Sequence, residues 1–144
     1  MGNADNPANG ARFESLVREY FRGQGLDLYP NQAVSVGASS AKRARIFDLG
    51  SDTPPVLVEC KSHTWTRGGN APSAKLSVWN EAMFYFMLAP PQYRKILVAL
   101  EHRRGLESLA EHYVRRFGHL VPIGVEIWEL ASDGRSGHLV HKGE

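Results

Sequence analysis

In the segment VLVECKSH, Val56 to His63, an acid and a base interrupt an otherwise apolar run. Buried without partners, Glu59 and Lys61 would each cost on the order of several kcal/mol. Read as a strand, the segment sends Val56, Val58 and Cys60 to one face and Leu57, Glu59 and Lys61 to the other, because side chains alternate. A second isolated acid, Asp48, stands among Ile46, Phe47 and Leu49 in RIFDLG. A hairpin across a turn at Ser51 to Pro55, where Asp and Pro supply the turn chemistry, would put Asp48 and Glu59 at comparable distances from that turn. They would then meet on one face. Two carboxylates that close raise each other's pKa unless a cation lies between them. Mg²⁺ (or Mn²⁺) suits such a pair, since it takes one or two carboxylates, keeps several waters and leaves room for a phosphate oxygen. Lys61 could orient or deprotonate a metal-activated water and neutralise charge at phosphorus. The chemistry expected of Asp48, Glu59 and Lys61 is metal-assisted phosphodiester hydrolysis.

The neighbouring segments suit a polyanionic partner. Lys42, Arg43 and Arg45 crowd a polar loop, ASSAKRA, and its edge just before Asp48, where they would draw nucleic acid toward the metal. Beyond the strand, the loop SHTWTRGGNAPSAK offers Trp65 for base stacking and Arg67 and Lys75 for phosphates. Trp65 could equally cap the core. His63 continues the Glu59 and Lys61 face and either touches substrate phosphate or simply ends the strand. Cys60 points the other way, as a small core residue. His138 and His141 lack partners at zinc-ligand spacing. In the plainest alternative, Glu59 and Lys61 form an ion-paired edge and Asp48 is a solvated acid.

The elements that must hold these residues follow from hydrophobic period. Phe13, Leu16, Val17, Tyr20 and Phe21 recur at helical spacing between Asn9 and about Gly23, with Asn6 or Asn9 as candidate caps and Gly23 and Gly25 as the stop. LYPNQAVSVG, RIFDLGSD and PPVLVECKSH are predicted strands. A second helix runs from about Ser73 to Ala89, where PP ends it. Its apolar residues exceed one stripe, which leaves surface for a second copy of the chain. YRKILVALEHRR is a strand covered on both faces, GLESLAEHYVRRFG a third helix, PIGVEIWEL a fifth strand and GRSGHLVHKGE a hairpin return or tail.

Bulk properties set the frame. A chain of 144 residues is expected to form one domain, residues 1–144, around one core. A formal charge of +2 permits a nucleic-acid partner without demanding one. The absence of a long apolar run or signal-like N-terminus, and the single cysteine, point to a soluble cytoplasmic protein without membrane partners.

The order helix, three strands, helix, strand, with Asp48, ten intervening residues and then Glu59-Cys60-Lys61, resembles the PD-(D/E)XK nuclease superfamily. Phe47 stands where many members have Pro. The Glu-bearing first helix is most similar to that of the Holliday-junction-resolvase-like members. The resemblance implies an α/β fold with a restriction-endonuclease-like αβββαβ core, a central mixed sheet flanked by helices. It also implies an Mg²⁺-dependent endonuclease acting on DNA rather than RNA. Asp48, Glu59 and the Cys60 carbonyl would bind the metal, Lys61 would act on the attacking water, and Glu14 would contact a metal-bound water. Glu14 could also simply pair with Arg18 four residues on. A homodimer would suit cutting both strands of a duplex. A nucleic-acid-binding module that kept this fold and lost turnover is the alternative, and an interaction domain with an ion-paired patch is a third reading.

Overall fold

The computed structural model describes residues 7–144. Helix α1, Pro7–Gly23, begins on a proline, which is tolerated in a first turn because the N–H it lacks would be unpaired there. That start places Asn9 inside the helix, so it is not the cap; Asn6 lies outside the described residues. Strands β1 (Tyr29–Val36), β2 (Arg43–Asp52) and β3 (Pro55–Lys61) follow, then α2 (Ser73–Leu88) and β4 (Arg94–Leu100). This is the expected order of helix, three strands, helix and strand. Two-residue strands β5 (Arg103–Arg104) and β6 (Glu107–Ser108) precede α3 (Leu109–Phe117), and β7 (Glu126–Leu130) and β8 (Gly137–Lys142) close the chain.

Six strands form one mixed sheet in the order β1-β2-β3-β4-β7-β8. β3, β4 and β7 run parallel at its centre, while β1 to β3 and β7 to β8 pair antiparallel. The β2–β3 hairpin has the register Leu49↔Val58 and Gly50↔Leu57. A glycine is needed at position 50, because a Cβ there would lie 2.6 Å from the Val56 carbonyl oxygen.

Helix α1 covers one face of the sheet, packing Phe13, Val17 and Phe21 on Leu49, Val56, Val58 and Ile96. The other face lies under α2 and α3, where Trp79, Met83, Phe86 and Tyr113 pack on Phe47, Leu57, Leu97 and Ile127. The Leu76, Trp79, Met83 and Phe86 stripe is buried as its spacing required, while Val78, Phe84 and Met87 of the same helix are exposed. No helix among the described residues is long and apolar enough to cross a membrane.

Two expected boundaries move. The loop ASSAKRA is shorter than its composition suggested: Arg43 already pairs with Val36, so Arg43 and Ala44 join the strand expected to start at Arg45. The third helix starts at Leu109 rather than near Gly105. Ser108 and Glu111 form a reciprocal capping box there, and the chain before it folds back through Gly105, at φ 62°, into the β5–β6 pair.

Candidate active site

β2 reverses its facing at Asp48. Residues two apart in a strand normally share a face, yet Phe47 packs under α2 and Leu49 packs under α1. The β1–β2 ladder skips one rung at this point, between Pro30↔Leu49 and Gln32↔Phe47, and the residue of β1 at the gap, Asn31, has φ 62°. Asparagine tolerates that left-handed conformation better than most residues. The β2–β3 ladder stops there too. Its last rung is Leu49↔Val58, and the next backbone donor, Cys60 N–H, bonds to Asp48 Oδ2 at 2.8 Å. The two strands therefore fork with an acid at the branch.

Across the fork, Glu59 is buried to 3% exposure. Its carboxyl is pushed up to about 8, first by burial, then by the charge of Asp48 and a hydrogen bond with that carboxyl; Lys61 and Arg45 pull the other way without cancelling. Glu14 on α1 belongs to the same cluster: burial and then the charge of Asp48 raise its pKa. Lys61, the last residue of β3, pairs in register with Ala99 of β4 and is half-buried. The fork thus brings together Asp48, Glu59, Lys61, Glu14 and the backbone of Cys60. The Cys60 thiol is raised well above its usual range by burial and then by Asp48, Glu14 and Glu59, which disfavours a thiolate.

Arg45, expected to draw nucleic acid toward the metal, is engaged within the protein. From β2 its Nη2 donates to Glu59 Oε1 at 2.9 Å, and its guanidinium lies 3.9 Å from the centroid of the Tyr85 ring. Its Nε is buried without a hydrogen-bond partner. Arg43 is exposed at the start of β2, and Lys42 donates from Nζ to the Gly37 carbonyl across the β1–β2 turn at 2.9 Å. A cleft of about 450 Å³ lined by Arg43, Arg45, Tyr85 and Leu88 lies beside this corner.

The loop after β3 requires a larger correction. Trp65 is 5% exposed; its indole N–H donates to the His102 carbonyl and Arg104 lies 3.9 Å over its ring. A tryptophan held so is a core cap, and its face is not open to a base. His63 accepts the Trp79 indole N–H on Nδ1 at 2.9 Å, which ties it to α2. Arg67 is exposed in the loop and Lys75 is half-buried in the first turn of α2.

Among the described residues, no three His, Cys, Asp or Glu side chains converge as a ready-made metal cluster. What the fork offers is two facing carboxylates, the backbone of Cys60 bonded through its N–H to one of them, and a third acid within electrostatic reach. That donor set suits a hard, strongly hydrated divalent ion better than zinc. The raised carboxyl of Glu59 reflects burial first and then the nearby charge of Asp48, the conflict that a bound cation would relieve. Sequence reasoning missed the Tyr85 shelf and the role of His102, because both lie on elements distant in sequence and no local spacing marks them.

Fold and site define a mixed α/β protein, with a six-stranded sheet between helices and a carboxylate pair at a strand fork. No family model, no curated protein and no solved structure matches the chain.

Proposed function

We propose that the chain is a metal-dependent nuclease of the PD-(D/E)XK type, hydrolysing phosphodiester bonds of nucleic acid, DNA rather than RNA. The observation that carries the reading is the fork: Asp48 and Glu59 are forced together in a buried corner and Glu59 retains a proton to about 8. The order of α1, β1 to β3, α2 and β4 supports it.

Asp48, Glu59 and the Cys60 carbonyl would hold Mg²⁺ or Mn²⁺, with Glu14 reaching it through water. When bound, the ion supplies Lewis-acid stabilisation of the phosphate and an acidified water. To serve as a ligand, Glu59 would give up its proton. Lys61, on the same strand and face as Glu59, orients the attacking water and balances charge at phosphorus. Arg45 rests on Tyr85 beside Glu59 and supplies a cation to the substrate phosphate.

The test is cleavage of plasmid and of labelled oligonucleotides with and without Mg²⁺ or Mn²⁺. Metal-dependent products that vanish in Lys61→Met and Asp48→Asn support the reading; full activity in either variant sinks it. One observation favours a second reading, a nucleic-acid-binding module without turnover: Arg45 already places a cation on Glu59. Calorimetric titration with Mn²⁺ separates the two, because only a working carboxylate site takes up the ion.

A further inference from the structure

We infer that the cleft between α1 and the C-terminal ends of β3 and β4 is a subsite for the nucleotide next to the scissile phosphate. The inference rests on the nuclease reading above and names a part of the substrate that the fork itself does not touch. The cleft encloses about 510 Å³, within the range of roughly 300–1,000 Å³ usual for small-ligand sites. Its position follows the topology. It opens where parallel strands β3 and β4 end, the side on which open α/β sheets bind ligands, and Ser62, one of its lining residues, directly follows Lys61.

Its chemistry suits a sugar-phosphate. Phe13 and Leu100 supply apolar wall, while Arg12, Ser62, Thr64 and His102 supply donors, and none of the described lining residues is acidic. His102 is fixed as a donor: its Nδ1 accepts the Trp65 backbone N–H at 3.1 Å and its carbonyl accepts the Trp65 indole, so the neutral ring carries its proton on Nε2. Trp65, closed off from base stacking, thus serves to position His102. Arg12 is exposed on α1, where a guanidinium can take a phosphate in bidentate fashion. With the Arg43, Arg45 and Tyr85 cleft on the other helical face, donor-lined hollows flank the carboxylates on both sides.

The experiment is an NMR titration of the metal-free, isotope-labelled protein with thymidine 3′,5′-bisphosphate, alongside inorganic phosphate. Saturable shifts at the amides of Ser62, Thr64 and His102 are expected, with the bisphosphate binding more tightly than phosphate. Arg12→Ala should weaken binding about tenfold and Thr64→Val about threefold; both positions avoid the His102–Trp65 contact that an alanine at His102 would disturb. Asp48→Asn should bind the bisphosphate yet fail to cleave, so loss of the nuclease reading and loss of the subsite register separately. Shifts confined to Lys42–Arg45, indifference to Arg12→Ala, or equal affinity for inorganic phosphate would each overturn the assignment.

Discussion

Two buried glutamates on central strands face arginines and end in opposite states. Glu126 of β7 is gripped by Arg94 of β4 at 2.7 and 2.9 Å, and Trp128 adds an indole N–H at 3.0 Å. Burial alone would raise its pKa, but these bonds outweigh it and hold the carboxyl below the usual range. Glu59 of β3 receives one guanidinium nitrogen of Arg45 and faces Asp48 as well, and its carboxyl rises to about 8. A bidentate partner and an auxiliary donor satisfy a buried charge; a single contact and a second acid do not. The first arrangement is a structural clasp, and the second leaves an unmet demand for positive charge, which is why we propose it as the site.

The comparison breaks first at catalysis. Under the nuclease reading, Asp48→Asn or Lys61→Met lowers metal-dependent cleavage by roughly 1,000-fold, whereas Glu126→Gln leaves it near wild type; a gel assay of nicked plasmid reads both. Next comes stability without metal. The folded protein binds a proton at Glu59 that the unfolded chain has released between its ordinary 4.5 and about 8, so Glu59 makes stability fall as pH rises through that window. Glu59→Gln should therefore gain on the order of 3 kcal/mol at pH 8.5 relative to wild type and little near pH 5. Glu126 has the opposite sign: its depressed pKa stabilises above the unfolded value and is lost as pH falls through the folded one. Glu126→Gln should lose about 1–2 kcal/mol at neutral pH. Urea titrations at several pH values check both signs.

A subtler contrast lies in metal affinity. Under the same nuclease reading an ion would displace the Glu59 proton, so Mn²⁺ affinity measured by calorimetry should rise up to about tenfold between pH 7 and 8 and then flatten. The smallest effect belongs to Trp65. Trp65→Phe removes the indole donor to His102 and should cost about 1 kcal/mol in urea unfolding, with oligonucleotide affinity changed little in fluorescence titration. A large loss of affinity with unchanged stability would restore the base-stacking reading of Trp65.

Much of the scaffold was legible because it depends on period. Alternation alone assigned Val56, Val58 and Leu57 to their faces, and helical spacing marked Phe13, Val17 and Phe21 and the Trp79, Met83 and Phe86 stripe, all of which are buried. The hairpin geometry placed Asp48 opposite Glu59, and their carboxyls do interact, one step beyond the last paired rung Leu49↔Val58. Boundaries were less legible. Arg43 entered a strand because β1 was there to pair with it, and α3 began late because Ser108 could cap it.

By itself the sequence determined which residues could not rest comfortably in a core: two acids and a lysine in apolar strands, at a spacing that one hairpin reconciles. Only the tertiary structure decided what surrounds them. The skipped rung at Asn31 coincides with the reversal of β2, strand pairing turns Arg45 inward onto Glu59 and Tyr85, and the segment after β4 carries His102 to Trp65. These contacts join residues far apart in the chain. Local propensity sets how each segment alternates, whereas the partners across a sheet are chosen by the packing of the whole core.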